Sequence, residues 1–258
     1  MSIFFLTDHL ESCPKIKGSL AVTSLDDIPK GSKVILFSYG RIVPEKRLQE
    51  YHFYNVHNSL LPKYRGLHAL TWAIINGEKE VGYSFHKIDD GIDSGDIGAQ
   101  LIIPVTDIDD INDVFQKARK RIPIWLAEII HEVENETLTF IPQDEKSATY
   151  VTRRVKSDGL IDWRQSSFDI HNLIRAIAPP YAPGAYTHFM GNELVITKSI
   201  LRDSVPYKCI PGQIVARLNN SGVLIKTGTS IIQVTEVIFR GKKTCPSKLF
   251  KSVGIRLG

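Results

Sequence analysis

The chain has 258 residues, 43% of them hydrophobic and 23% charged, which suits one large or two modest globular domains and excludes a disordered or fibrous chain. Lysine and arginine number 32 against 28 aspartates and glutamates; a net charge of +4 is too small to mark a nucleic-acid binder and would suit an anionic small molecule. Cys13, Cys209 and Cys245 are odd in number and far apart, which argues against a disulfide framework or a Cys-x-x-Cys metal site and for a reducing cytoplasm.

The amino-terminal apolar run, Ile3 to Leu6, is too short for a signal peptide, and no window approaches the ~18 apolar residues of a membrane span. Ile3 to Thr7 and Ser19 to Thr23 read as short strands. Lys33 to Ser38 is a compact, branched, apolar run closed by Tyr39-Gly40, and Phe53 to His57 reads as a further strand end. Buried runs of this kind predict a mostly parallel sheet covered on both faces, in an α/β domain. Leu67 to Asn76 predicts a helix stopped by Gly77. Gly82 to Ile88 and Ala99 to Val105 predict strands on either side of a loop, Asp89 to Gly95. Asp110 to Glu134 has helical spacing, which Pro123 is expected to kink or break.

The character changes after Glu136. Gln143 to Gly159 is polar and aperiodic and reads as a linker; Phe168 to Ile177 predicts a short helix ended by Pro179-Pro180. Leu194 to Thr197, Gly212 to Arg217, Val223 to Lys226 and Ile231 to Phe239 then predict a small β-barrel. These readings divide the chain into an α/β domain, residues 1–150, and a smaller β-rich domain, residues 151–258.

Two polar clusters carry the chemistry. Asn55 and His57 lie two apart at a strand end, so their side chains share one face. Open α/β sheets bind ligands at such a carboxyl edge. The Asp89-Asp-Gly-Ile-Asp-Ser-Gly-Asp96 loop could bring a carboxylate to the same pocket. Read alone, a histidine near a strand end is more often a satisfied core or surface residue. The acidic loop is more often a solvated turn, and its spacing does not match an EF-hand. His68, His86, His131, His171 and His188 have no evident partners in sequence and are read as structural.

Taken together, Asn55-Val-His-Asn-Ser-Leu-Leu-Pro-Lys-Tyr-Arg-Gly66, Trp72 to Glu78 and Asp89 to Ile97 resemble the folate-dependent formyltransferase family. Asp158 to Trp163, His171 to Ala176, Pro211 to Ile214, Thr227-Gly228 and Gly241 to Lys243 look like that family's carboxy-terminal OB-like domain. The resemblance implies a Rossmann-like catalytic formyltransferase domain with Asn55, His57 and Asp93 as catalytic residues. It also implies 10-formyltetrahydrofolate as co-substrate and no metal. Gly40, Arg41, Ile42 and Val43, with Ile88, Asp89, Asp90, Gly91 and Ile92, are implicated in holding the folate. A carboxylate beside His57 is expected to favour its imidazolium form.

The Asn-x-His strand arrives early, and the amino-terminal part is expected to lack about one strand–helix unit; residues 1–50 match no basic inserted loop of the methionyl-tRNA formyltransferases. The expected acceptor is therefore the primary amine of a nucleotide-linked 4-amino-4,6-dideoxy sugar for surface polysaccharide, with initiator methionyl-tRNA as the alternative. The resemblance leaves a homodimer open.

Overall fold

In a computed structural model the structure describes residues 3–202 and 209–258. The first sheet begins with four strands, β1 (Ile3–Leu6), β2 (Ser19–Val22), β3 (Lys33–Leu36) and β4 (His52–His57), of which β1 and β3 are buried throughout. No side of such a strand meets water, which is why their sequences are continuous apolar runs and do not alternate. Two 3-10 turns, Leu10–Ser12 and Leu25–Asp27, and a one-turn helix, α1 (Glu45–Leu48), connect these strands. A two-residue strand, β5 (Arg65–Gly66), and helix α2 (Ala69–Ile75) follow. The hairpin of β6 (Glu80–Lys87) and β7 (Ile97–Pro104) completes the sheet.

The sheet order is β2-β1-β3-β4-β6-β7. The pairings β1–β2, β1–β3 and β3–β4 are parallel, whereas β4–β6 and β6–β7 are antiparallel, so β4 is where the sheet changes direction. Asn55 lies opposite Leu36 on one side and His86 on the other.

Helix α3 (Ile111–Glu134) runs unbroken through Pro123. Ile111, Val114, Ala118, Ile122, Leu126, Ile129, Ile130 and Val133 are all buried along one stripe. Burial of that stripe outweighs the one backbone hydrogen bond that proline removes, so the expected break does not occur. Near its carboxyl end the buried Lys33 donates from Nζ to the Val133 carbonyl at 2.5 Å, a cation at the negative end of the helix dipole.

Residues 143–159 do not form a free linker. Strand β8 (Tyr150–Val151) pairs with β5, and Gln143 and Glu145 both bond to Arg65. Helix α4 (Ser167–Ala176) opens on Ser166, whose hydroxyl accepts from the Asp169 amide. The second sheet holds β9 (Ala185–Phe189), β10 (Asn192–Leu201), β11 (Ile214–Leu218), β12 (Gly222–Lys226), β13 (Ile231–Phe239) and β14 (Lys242–Thr244), followed by a short helix α5 (Pro246–Leu249). Its order is β11-β12-β13-β10-β9 with β14 beside β13, and every pairing is antiparallel. A Rossmann-like mixed sheet and an all-antiparallel carboxy-terminal sheet are thus the two kinds of architecture that the sequence predicts.

The chain forms two compact units. One comprises the residues up to Leu70 with Glu80–Pro104 and Phe115–Arg153; the other comprises Thr71–Lys79, Val105–Val114 and the chain from Arg154 onward. Among the described residues no helix is long and apolar enough to cross a membrane.

Candidate active site

Strand β4 sets the first two side chains. Asn55 and His57 alternate onto one face of the sheet, as the period of an extended strand requires. Asp93 meets them from the loop between β6 and β7. Its Oδ1 accepts from Asn55 Nδ2 at 3.3 Å, and its Oδ2 lies 3.4 Å from His57 Nδ1. The three residues named from sequence therefore come together.

Reaching that point takes a special backbone. Asp93 sits at φ 50°, in the left-handed region that aspartate enters more easily than most residues. The loop is held from several sides. Asp89 Oδ1 accepts from the Gly91 amide at 3.1 Å and from the Ser94 hydroxyl at 2.8 Å. Gln143 Nε2 donates to the carbonyls of Asp93 and Gly95 at 2.8 and 2.7 Å. The Gly66 amide donates to Asp93 Oδ2 at 2.9 Å. At Gly95 an added Cβ would stand 2.1 Å from the Lys87 carbonyl oxygen, so only glycine lets the loop close against β6.

His57 is buried, and its Nε2 lies 2.9 Å from the Tyr64 carbonyl. A carbonyl only accepts, so Nε2 carries the hydrogen and Nδ1 faces Asp93. Burial pushes the His57 pKa below the usual imidazole value, and Asp93 and Tyr64 only partly oppose it. This corrects the expectation of a resident imidazolium: at neutral pH the ring is neutral, because desolvation outweighs one carboxylate. Burial alone would raise the Asp93 carboxyl. Its contacts with the His86 ring, the His57 ring and the Gly66 amide together overcome that and bring it down to about 2. Asp93 is therefore ionised, and a proton that reaches His57 Nδ1 is shared with it.

The sign of the pH dependence follows. A histidine with a lowered pKa can accept a proton throughout the neutral range and loses that capacity only as pH falls through the lowered value. The ring resonances of His57 should titrate with a midpoint below 6.5 in the intact protein. They should titrate lower still in Asp93→Asn, which removes the group that favours the charged ring. A midpoint above 6.5 would show that the carboxylate, not burial, governs the pair.

One residue at the centre escaped sequence reasoning. His86 is 2% exposed, and its Nε2 lies 3.2 Å from Asn55 Nδ2 and 3.6 Å from Asp93 Oδ1. The sequence offers His86 no partner; the β4–β6 register brings it two, and no local signal reveals that register. Arg65 and Gln143 were missed for the same reason. Arg65 is wholly buried, and its guanidinium donates to Gln143 Oε1, to Glu145 and to the Tyr150 hydroxyl.

The nine residues expected to contact folate lie on two loops, 37–43 and 88–92. Val43 is buried in a cluster with Leu36 and Phe53, and Ile88 packs on the same cluster, so the two loops share one base. Ile42 and Ile92 stand exposed, as do Asp89, Asp90 and Gly91. Arg41 pairs with Asp8 Oδ1 at 2.6 Å and lies over the Tyr39 ring, while the Gly40 amide donates to Asp8 Oδ2. Among the described residues no cluster of histidine, cysteine and carboxylate side chains is arranged to hold a metal ion.

Comparison with known proteins adds the family. The model of the formyl transferase family matches residues 27–130, and that of the formyl transferase carboxy-terminal domain matches residues 154–253. Methionyl-tRNA formyltransferase of Alkaliphilus oremlandii is 34% identical over 216 residues, 83% of this chain and 68% of that protein. The enzyme of the same name from Clostridium novyi is 36% identical over 213 residues, 81% of this chain and 67% of that protein. The solved N-formyltransferase of Helicobacter canadensis, in complex with folinic acid and dTDP-3-aminofucose, superposes with a TM-score of 0.65 at 26% identity, over 83% of this chain and 78% of that one.

These findings overturn the expected sugar-nucleotide acceptor. Five methionyl-tRNA formyltransferases are 32–36% identical over 81–87% of the chain, whereas the sugar-modifying enzymes are similar in structure at lower identity. The expectation rested on what residues 1–50 lack, and the similarity spans far more of the chain than that segment. Matched by both domain models and by relatives above 30% identity, the chain belongs to the folate-dependent formyltransferase family and is an N-formyltransferase that draws its formyl group from 10-formyltetrahydrofolate.

Proposed function

We propose that this chain transfers the formyl group of 10-formyltetrahydrofolate to the α-amino group of methionine esterified to initiator tRNA, with Asn55, His57 and Asp93 as its catalytic residues. The observation that carries the chemistry is the convergence of a carboxamide and a buried imidazole on one carboxylate, each within 3.4 Å of Asp93. The similarity to methionyl-tRNA formyltransferases supports the acceptor. On this reading residues 1–150 carry catalysis, residues 151–258 serve the acceptor, and the reaction takes place in the cytoplasm.

The neutral amine attacks the formyl carbon. A carbon–nitrogen bond forms and the carbonyl electron pair moves onto oxygen. Asn55 stabilises that oxyanion through an N–H of its side chain, a contribution of roughly 3–4 kcal/mol for a well-placed donor. The proton released by the amine passes to the His57–Asp93 pair. Collapse restores the carbonyl, breaks the bond to the folate nitrogen, and returns the proton to that nitrogen.

The folate itself lies between loops 37–43 and 88–92. Ile42 and Ile92 offer it apolar contact, and Arg41, already aimed by Asp8, offers a fixed cation. Arg41→Ala should raise the Michaelis constant for 10-formyltetrahydrofolate and leave kcat nearly unchanged. An unchanged constant would place the folate elsewhere.

The acceptor is tested by the salt dependence of transfer. A tRNA held by its phosphates loses affinity steeply with salt, by a slope set by the number of contacts. The Michaelis constant for methionyl-tRNA should therefore climb several-fold between low and physiological salt while that for folate moves little. Salt-independent use of methionyl-tRNA would contradict the reading.

A further inference from the structure

We infer that His86 is the positioning residue that fixes the orientation of the Asn55 carboxamide and so decides which of its atoms meets the reacting formyl oxygen. The inference deepens the reaction proposed above and rests on Asn55 acting there. Its starting point is one short contact: His86 Nδ1 lies 2.6 Å from the Lys87 carbonyl. A carbonyl cannot donate, so the hydrogen sits on Nδ1, and in that tautomer Nε2 is the acceptor of the ring. Asn55 stands 3.2 Å from that lone pair. Only the NH2 end of its carboxamide can face it.

Asp93 Oδ1 makes the same demand from a second direction, at 3.3 Å. The two acceptors take the two hydrogens of Nδ2. The flipped carboxamide would set its oxygen against a lone pair and a carboxylate at once. The two contacts then differ in what the reaction does to them. His86 takes no part in proton transfer, so its hydrogen bond persists and anchors the amide. Asp93 becomes a poorer acceptor when it takes up the amine proton. The Asn55 N–H that Asp93 held is then released toward the oxyanion at the moment that charge develops. The anchor also explains why a histidine lies 2% exposed beside a second buried histidine, His57, with the ring centroids 6.4 Å apart and edge to face.

A double-mutant cycle distinguishes this role from mere packing. His86→Leu should lower kcat for methionyl-tRNA formylation by ~10- to 100-fold, the loss expected when a catalytic group is misaimed. The Michaelis constant for 10-formyltetrahydrofolate should stay within about threefold, because uniform binding is untouched. In an Asn55→Ala background the same substitution should cost nothing further. His86→Gln, whose side-chain carbonyl can accept the same N–H, should recover part of the rate. An equal loss in both backgrounds, or a His86→Leu enzyme with wild-type kcat, would overturn the inference.

The side-chain amide resonances of Asn55, observed by 15N NMR in the folate-free protein, test the anchor without turnover. They should be widely split and slow to exchange, and His86→Leu should collapse the splitting; no change would overturn the anchor. If the wild-type enzyme forms no product with methionyl-tRNA while those resonances respond, the acceptor reading fails and the anchor stands. If product forms but neither kcat nor the resonances respond to His86→Leu, the anchor fails alone.

Discussion

Asp93→Asn, Asn55→Ala and His57→Ala should each lower kcat for formyl transfer by between ~10² and ~10⁴-fold, the range spanned by lost oxyanion donors and lost acid–base groups. Asp93→Asn is the cleanest of the three. Asparagine also tolerates the left-handed backbone at φ 50°, so the loop keeps its path while the charge disappears. The Gly66 amide and Asn55 donate to different oxygens of Asp93, so the single oxygen of asparagine keeps only one of these bonds, and the carboxylate that shares the amine proton is lost. Because the three residues act as a unit, the double variant Asn55→Ala/Asp93→Asn should fall by much less than the product of the single losses. Thermal unfolding of Asp93→Asn should match the parent within a few degrees. Asp93→Asn with near-normal turnover would remove the basis of the mechanism.

Arg65→Ala should destabilise the α/β unit by about 3 kcal/mol, the scale seen when one partner of a buried hydrogen-bonded charge is removed. That would lower the melting temperature by roughly 6–12 °C for a chain of this size. The ion pair itself contributes little of it. Glu145 is 66% exposed, so water screens its bond to Arg65. The larger part is the wholly buried guanidinium, which fills the space between β5 and residues 143–150 and donates twice to Gln143 Oε1, at 3.1 and 2.8 Å, and once to the Tyr150 hydroxyl, at 2.8 Å. Gln143 is also the residue whose amide holds Asp93 and Gly95. Arg65→Ala should therefore reduce kcat as well as stability, whereas Glu145→Gln should do neither to a comparable degree. Arg65→Lys should rescue only in part, since an ammonium cannot reproduce the planar fork. Loss of less than about 1 kcal/mol on Arg65→Ala would show that the guanidinium is incidental.

What the sequence made legible was local. The apolar runs of β1 and β3, the glycine stop after α2 and the two-residue spacing of Asn55 and His57 are all short-range signals, and each led to the observed element. Pro123 misled because a local rule about one missing N–H says nothing of the buried stripe on which α3 lies. Strand β9 was not read at all, since Ala185–Phe189 follows directly on Pro179-Pro180 and Pro183-Gly184, which sound like a long turn.

The errors at the site have a common cause. His86 meets Asn55 only through the antiparallel register of β4 and β6, 31 residues apart. Gln143 meets the Asp93 carbonyl across 50 residues, in a stretch whose polarity reads as a solvated linker. The charge state of His57 depended on burial, which a neighbouring aspartate in the sequence does not disclose. The acceptor was misjudged by giving weight to a short segment that matched nothing over the long one that did.

The most direct test is formylation of initiator methionyl-tRNA by the purified chain supplied with 10-formyltetrahydrofolate, with the amino acid released and weighed by mass spectrometry. The account predicts formylmethionine at a rate that Asp93→Asn lowers by ~10²-fold or more. No formylmethionine under conditions where a nucleotide-linked amino sugar is formylated would contradict it.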